Sequence, residues 1–302
     1  MLSPYSISIL VCSVLGLGLA IPSNTCIVMG NLDIIRKKGK LSPTDVIFLA
    51  KGIVNILLQC ELCIEGMLLV FSQEIFYIRQ VFGFMNTSIY FLTYYNFWLT
   101  FWLSIHYCTS ITNLSYEFFI WLKRIMSNFL SQLLFLTALG VFIVSAPGFW
   151  IVYEDSPFQS SENSTEASVI GFRKLFSYFV PANTLGCILP FCLSLLYLVL
   201  TFSFLLRHVW RVKNNDSGST RPNLQAHVTA LRTIFFLLII YTFFCMSRAL
   251  IFLQNSLLSI VSLCLQLLSP SVEAAIIFQA SNKLRWIILR RFWRKSRRNT
   301  ET

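Results

Sequence analysis

Seven long apolar stretches divide the chain, at residues 6–30, 45–71, 84–112, 128–153, 177–208, 226–253 and 257–280. Each is long enough to cross a bilayer as a helix, which takes about 20 residues. Lipid offers no partners for backbone amides, so only helices or closed barrels span it, and runs this long and this apolar are helices. Seven of them within 302 residues, joined by short loops, leave almost no room for a soluble domain. The expected fold is an all-α membrane protein. A seven-transmembrane helix bundle occupies residues 1–281, and a short cytoplasmic amphipathic helix with a basic tail occupies 282–302. Whatever the chain does, it does inside the bundle or at its two mouths.

The formal net charge of +11 would suit nucleic acid, but its distribution argues against that partner. Arg36, Lys37, Lys38 and Lys40, then Lys123 and Arg124, then Arg207, Arg211, Lys213 and Arg221, and finally the tail from Lys283 to Arg298 all fall on one side of a seven-span chain. The opposite loops carry Glu74, Glu154, Asp155, Glu162 and Glu166 against Arg79, Arg173 and Lys174. Basic loops stay cytoplasmic. The expectation is a multi-pass plasma-membrane protein with an extracellular N-terminus and a cytoplasmic C-terminus. The first span, with no cleavage site before it, reads as an uncleaved signal anchor. The tail suits anionic inner-leaflet lipid, and residues 284–293 interleave apolar and basic positions as a membrane-surface helix does. Membrane lipid is therefore one expected partner.

Asn163-Ser164-Thr165 is an N-glycosylation acceptor in the long outer loop. Asn113-Leu114-Ser115 falls on the inner side, and Asn86-Thr87-Ser88 lies too close to the third span. All nine cysteines lie in or beside spans, so no disulfide framework is expected. Cys60 and Cys63 form a CxxC inside an apolar helix without a partner pair, and read as packing residues. No metal and no cofactor is expected.

Ionisable residues inside spans are costly, so each is a functional candidate. Glu61 and Glu65 are four apart and share a helix face. They read either as an acidic wall for a cationic ligand or as polar anchors bonded to neighbouring helices. Lys51 and Glu273 fall at similar depth and could pair, which would be structural rather than catalytic. Arg248 either snorkels to the surface or lines the cavity. The third span carries Asn86, Tyr90, Thr93, Tyr94, Tyr95, Asn96 and Trp98, with 86, 90, 93, 94 and 97 on one face. That face suits an organic ligand, with helix packing as the plainer reading. A transporter would show repeats or broken helices around ion ligands; Pro147, Pro190 and Pro270 are simple kink positions. An enzyme would need a convergent catalytic set. His106, His208 and His227 all lie at the inner edge, with no HExxH or GxSxG motif. The chain does not read as an enzyme.

Several segments, in order, resemble the type 2 (bitter) taste receptor family of G-protein-coupled receptors. Trp98-Leu99-Thr100, Leu103-Ser104-Ile105-His106-Tyr107, Ile111-Thr112-Asn113-Leu114-Ser115 and Trp121-Leu122-Lys123-Arg124 resemble its third helix and second inner loop. Leu189-Pro190-Phe191, Ser194-Leu195, Ser203 and His208 resemble its fifth helix, and His227, Ala230, Leu231 and Arg232 its sixth. Pro270-Ser271 and Lys283-Leu284 match its seventh helix and the turn beyond, and Asn24 and Asp45 fit the first two helices. Departures stand at Asn55, Ser110 and Glu273, where the family carries Arg, Lys and His. They point to a divergent member, with a non-mammalian source as one expectation. Because type 1 vomeronasal receptors favour Asn at the second-helix position, a vomeronasal-like chemoreceptor stays as the alternative.

The resemblance implies a receptor for small organic bitter compounds. It places ligand contacts at Ile89, Tyr90, Thr93, Tyr94, Phe244, Arg248, Leu263 and Gln266, to which the acidic-wall reading adds Glu65 and a preference for cationic agonists. It also implies a gustducin-type or inhibitory heterotrimeric G protein at the inner face, bordered by Ser110, Asn113, Lys123, Arg124, His208, Arg211, His227 and Leu231.

Overall fold

The computed structural model describes residues 4–76, 78–111, 117–154, 177–215, 224–250, 256–281 and 286, and all regular structure among them is helical. The elements in chain order are α1 (Pro4–Lys38), α2 (Pro43–Phe71), the single turn α3 (Gln73–Phe76), α4 (Arg79–Ile111), α5 (Glu117–Asn128), α6 (Leu130–Ser145), α7 (Pro147–Glu154), α8 (Leu189–Asn215), α9 (Leu224–Leu250) and α10 (Ser256–Ala280). Six helical runs among the described residues are long and apolar enough to cross a membrane: Ser6–Lys37, Pro43–Phe71, Leu130–Ile151, Ser177–Arg207, Val228–Ser247 and Ile260–Ala280. α4 has 33 residues, ample in length, but its Tyr, Trp, Asn and Thr content holds its apolar average below that of the other six. The tail beyond 281, save Trp286, lies outside the described residues.

Local chemistry sets the helix ends. α1 closes where Gly39 turns to φ +69°, its N–H bonded to the Ile35 carbonyl, a left-handed cap that glycine tolerates. α2 opens on Ser42, whose hydroxyl accepts from the Asp45 N–H, with Pro43 at the first position, where a missing N–H costs nothing. This cap starts the helix two residues before the apolar run. Pro147 splits the expected fourth span into α6 and α7 while helical bonds continue across Ala146.

The helix leading into α8 contains a π segment, Thr184–Ile188, immediately before Pro190. A proline ring clashes with the carbonyl four residues back, and widening the turn relieves it. The Leu189 N–H then bonds Thr184, five residues back. The next donor in that pattern would be Pro190, which has none, and the Trp98 indole N–H supplies a bond to the Leu185 carbonyl instead, at 3.3 Å. Gly186 sits in the same segment flat against the Tyr94 ring, where a Cβ would overlap ring atoms.

α4 is the centre of the bundle and touches α2, α5, α6, α7, α8 and α9, while α10 packs on α1, α2 and α9. Polarity is inverted relative to a water-soluble protein. Val14, Phe135, Ile143, Val199 and Phe243 face outward, whereas Asn24, Lys51, Asn55, Gln59, Asn96, Gln266 and Glu273 are buried. In water such a surface would aggregate; against lipid chains it is the expected exterior.

Candidate functional site

The buried polar residues converge. Lys51 Nζ on α2 lies 2.6 Å from Glu273 Oε1 on α10, and also donates to Asn96 Oδ1 on α4 at 2.8 Å and to the Tyr241 hydroxyl on α9 at 2.7 Å. Tyr241 donates to Glu273 Oε1 at 2.8 Å, and Thr100 Oγ1 donates to Tyr241 at 2.9 Å. Asn96 Nδ2 reaches Glu273 Oε2 at 2.7 Å and Asn55 Oδ1 at 2.9 Å. Asn55 Nδ2 continues to Asn24 Oδ1 on α1, whose own amide reaches the Pro270 carbonyl of α10, both at 3.4 Å. One network thus joins α1, α2, α4, α9 and α10.

The chemistry follows from burial. An ammonium taken out of water is tolerable only when neutralised and hydrogen-bonded. Glu273 supplies the charge, and Asn96 and Tyr241 supply the remaining acceptors. Lys51 and Glu273 therefore pair as their equal depth in the sequence allowed. Asn96 was visible as a polar residue within a span, whereas Tyr241 sits in an apolar run that gives no sign of this role. Only helix packing turns it inward.

Beside this cluster, about one turn toward the N-terminal end of α4, a narrow cleft of about 10 Å³ is lined by Thr93, Phe97, Tyr241, Phe244, Pro270 and Glu273. That volume is room for about one water molecule. The Thr93 hydroxyl is buried and has no hydrogen-bond partner. Thr93 and Phe244 are thus brought together. Ile89 is buried in the surrounding core, and Leu263 is half-buried on α10. Gln266, also buried, donates to Ser262 Oγ at 3.2 Å, and Ser262 donates to the Ser247 carbonyl, coupling α10 to α9.

Tyr90 and Tyr94 lie on the side of α4 away from α10. Their rings are 5.5 Å apart, Tyr90 also meets Phe179 at 5.3 Å, and the Tyr94 hydroxyl donates to Asn183 Oδ1 at 3.0 Å. Tyr94 and Trp98 border a second, lipid-side groove of about 290 Å³ with Thr137, Gly140, Leu185 and Gly186. The acidic pair is elsewhere again. Glu61 and Glu65 are half-buried on α2; Glu61 adjoins Ser88 of α4, and its Oε2 is buried without a partner. The side chain of Arg248 lies outside the described residues.

At the opposite end of the bundle, Ser110, Lys123 and Arg124 are exposed. Leu231 packs on the Leu198–Ile234–Leu238 cluster between α8 and α9. Asn113 and Asn163, and the side chains of His208, Arg211 and His227, lie outside the described residues. Among the described residues no three His, Cys, Asp or Glu side chains gather as a metal site.

The sequence profile of the taste receptor protein (TAS2R) family matches residues 1–296. Taste receptor type 2 member 40 of Gallus gallus is 29% identical over 76% of this chain and 73% of its own length. Taste receptor type 2 member 9 of Papio hamadryas is 27% identical over 91% and 89%, and its Homo sapiens counterpart 26% over the same shares. The vomeronasal-like alternative yields to this match, and an enzymatic role has no place in it. With its inverted polarity and membrane-length helices, the chain belongs to the taste receptor protein (TAS2R) family, the bitter-taste branch of the G-protein-coupled receptors.

Proposed function

We propose that this chain is a seven-span receptor that binds small organic bitter compounds between α4, α9 and α10 and activates a gustducin-type or inhibitory G protein. α4, the third span in chain order, completes the seven spans in this reading. Its 33 residues reach about 50 Å at 1.5 Å per residue, and its polar side chains point into the bundle instead of lipid. The N-terminus is extracellular, and the basic segments are cytoplasmic.

The observation that carries the reading is the Thr93 hydroxyl, buried without a partner opposite Phe244 in a cleft above the ion-pair network. Ligand pockets combine apolar and aromatic walls with a few such polar groups. Known pockets hold roughly 300–1,000 Å³, so agonists favour a wider arrangement in which α9 and α10 stand off from α4. A ligand shifts that balance only through its higher affinity for the wider form. Phe244 lies one turn from Tyr241 on α9, so displacing it would be felt at Lys51 and Glu273. The movement would open the face bordered by Ser110, Asn113, Lys123, Arg124, His208, Arg211, His227 and Leu231 to the G protein.

Ile89, Arg248, Leu263 and Gln266 form the wider shell of the proposed pocket, and Tyr90 and Tyr94, on the α8 side of α4, would meet only agonists that extend past it. Glu65, with Glu61, is a separate acidic wall on α2 that favours cationic agonists. The test is a dose–response series in cells for parent, Thr93→Val and Phe244→Ala receptors. Loss of half or more of the Phe244 side-chain burial predicts at least about a tenfold weaker potency, which corresponds to about 1.4 kcal/mol. Unchanged potency for every active compound in both variants, at normal surface expression, would remove the cleft as the binding site.

A further inference from the structure

α1 and α10 pass each other very closely at Gly16. A Cβ added there would stand 2.6 Å from the Leu267 carbonyl oxygen, so only glycine permits the approach. The Ser271 hydroxyl donates to the Gly16 carbonyl at 3.3 Å at the same level. Contacts advance together along both helices, from Cys12–Cys264 through Gly16–Leu267 to Asn24–Pro270, so the helices run in the same direction. One turn toward both N-terminal ends, this register brings Cys12 against Cys264. Their sulfurs are 2.7 Å apart, although the residues are 252 positions apart in sequence. That is well inside ordinary non-bonded sulfur contact. A disulfide needs backbones that approach closely, with Cα atoms about 4.4–6.8 Å apart, and the glycine contact one turn away shows independently of the sulfurs that α1 and α10 pass at close range beside this pair. Both side chains are half-buried, facing each other.

We propose that Cys12 and Cys264 are the site of an intramembrane disulfide that ties α1 to α10. The oxidant is a small membrane-permeant peroxide. One sulfur attacks the peroxide O–O bond, takes the hydroxyl and becomes a sulfenic acid, while its proton leaves with the other oxygen as water. The second sulfur attacks the sulfenic sulfur; the S–S bond forms, the S–O bond breaks, and the hydroxyl leaves with the second thiol proton as another water. Two thiols and one hydrogen peroxide give one disulfide and two waters, with sulfur oxidised and peroxide oxygen reduced. Because α10 also carries Gln266, Pro270 and Glu273, the tie restrains the helix that contributes to both the cleft and the ion pair.

The experiment uses the full chain, purified in detergent and fully reduced. It is treated with hydrogen peroxide, its remaining thiols are alkylated, and it is mapped by mass spectrometry without reduction. The expected product is a peptide pair joined through Cys12 and Cys264, with a higher thermal midpoint than the reduced receptor. Cys12→Ser and Cys264→Ala should each abolish both the linked pair and the rise. If either variant fails to fold, the wild-type map still decides. Recovery of Cys12 and Cys264 both alkylated after peroxide, or of either joined to another cysteine, would overturn the proposal.

Discussion

Glu273→Gln isolates the charge of the central ion pair while keeping its shape. In the parent, Glu273 accepts three hydrogen bonds, from Lys51 and Tyr241 at Oε1 and from Asn96 at Oε2. A glutamine carbonyl can still accept the first two. Its amide, however, then points a donor at the Asn96 amide, and Lys51 is left as a buried ammonium without a counter-charge. Breaking one side of a buried pair costs about 3–5 kcal/mol. On the order of 10 °C should be lost from the thermal midpoint at that cost. The informative comparison is Lys51→Met with Glu273→Leu together. It removes both charges and leaves Asn96 bonded to Asn55 and Tyr241 bonded to Thr100. Replacing a buried pair by apolar side chains is often neutral, so the double variant should be more stable than either single one. The assay is the temperature at which the monodisperse receptor peak is lost in detergent, for the parent, both singles and the double. A Glu273→Gln midpoint equal to the parent's, or a double variant no more stable than the better of its two singles, would refute the reasoning.

Gly186→Ala should force the Tyr94 ring away from the π segment, destabilising the receptor by about 1–3 kcal/mol as overpacking does. Gly18→Ala, where nothing lies within 4 Å, should leave surface expression unchanged. Glu61→Gln with Glu65→Gln should weaken cationic agonists while sparing neutral ones; equal potency for both classes at normal expression would end the acidic-wall idea. Asn163→Gln should abolish a glycosidase-sensitive shift in gel mobility, and a shift that survives the substitution would place any glycan elsewhere.

The long apolar runs translate directly into helices because lipid permits little else. α4 shows where that signal weakens. Its buried Asn96, Thr93 and Thr100 reduce its apolar average because it is the most enclosed helix, touching partners on nearly every side. Lys51 and Glu273 were legible as a pair because depth along a helix can be counted from sequence. Their partner Tyr241 was not, since its role depends on the rotation of α9. Tyr90, Thr93 and Tyr94 share a face by spacing, yet that face is wide enough to divide between the cleft and the α8 side. The π segment needed both Pro190 and the Trp98 indole, which are remote in sequence. Contact between Cys12 and Cys264 depends on a parallel register set at Gly16, which spacing alone does not encode.

The most direct test of the receptor reading is calcium release in cells expressing the chain with a gustducin-tailed promiscuous G protein, exposed to a panel of cationic and neutral bitter compounds. The expected result is a concentration-dependent response that is absent from cells lacking the receptor and is weakened by Phe244→Ala. Silence across the panel, with the chain confirmed at the cell surface, would contradict it.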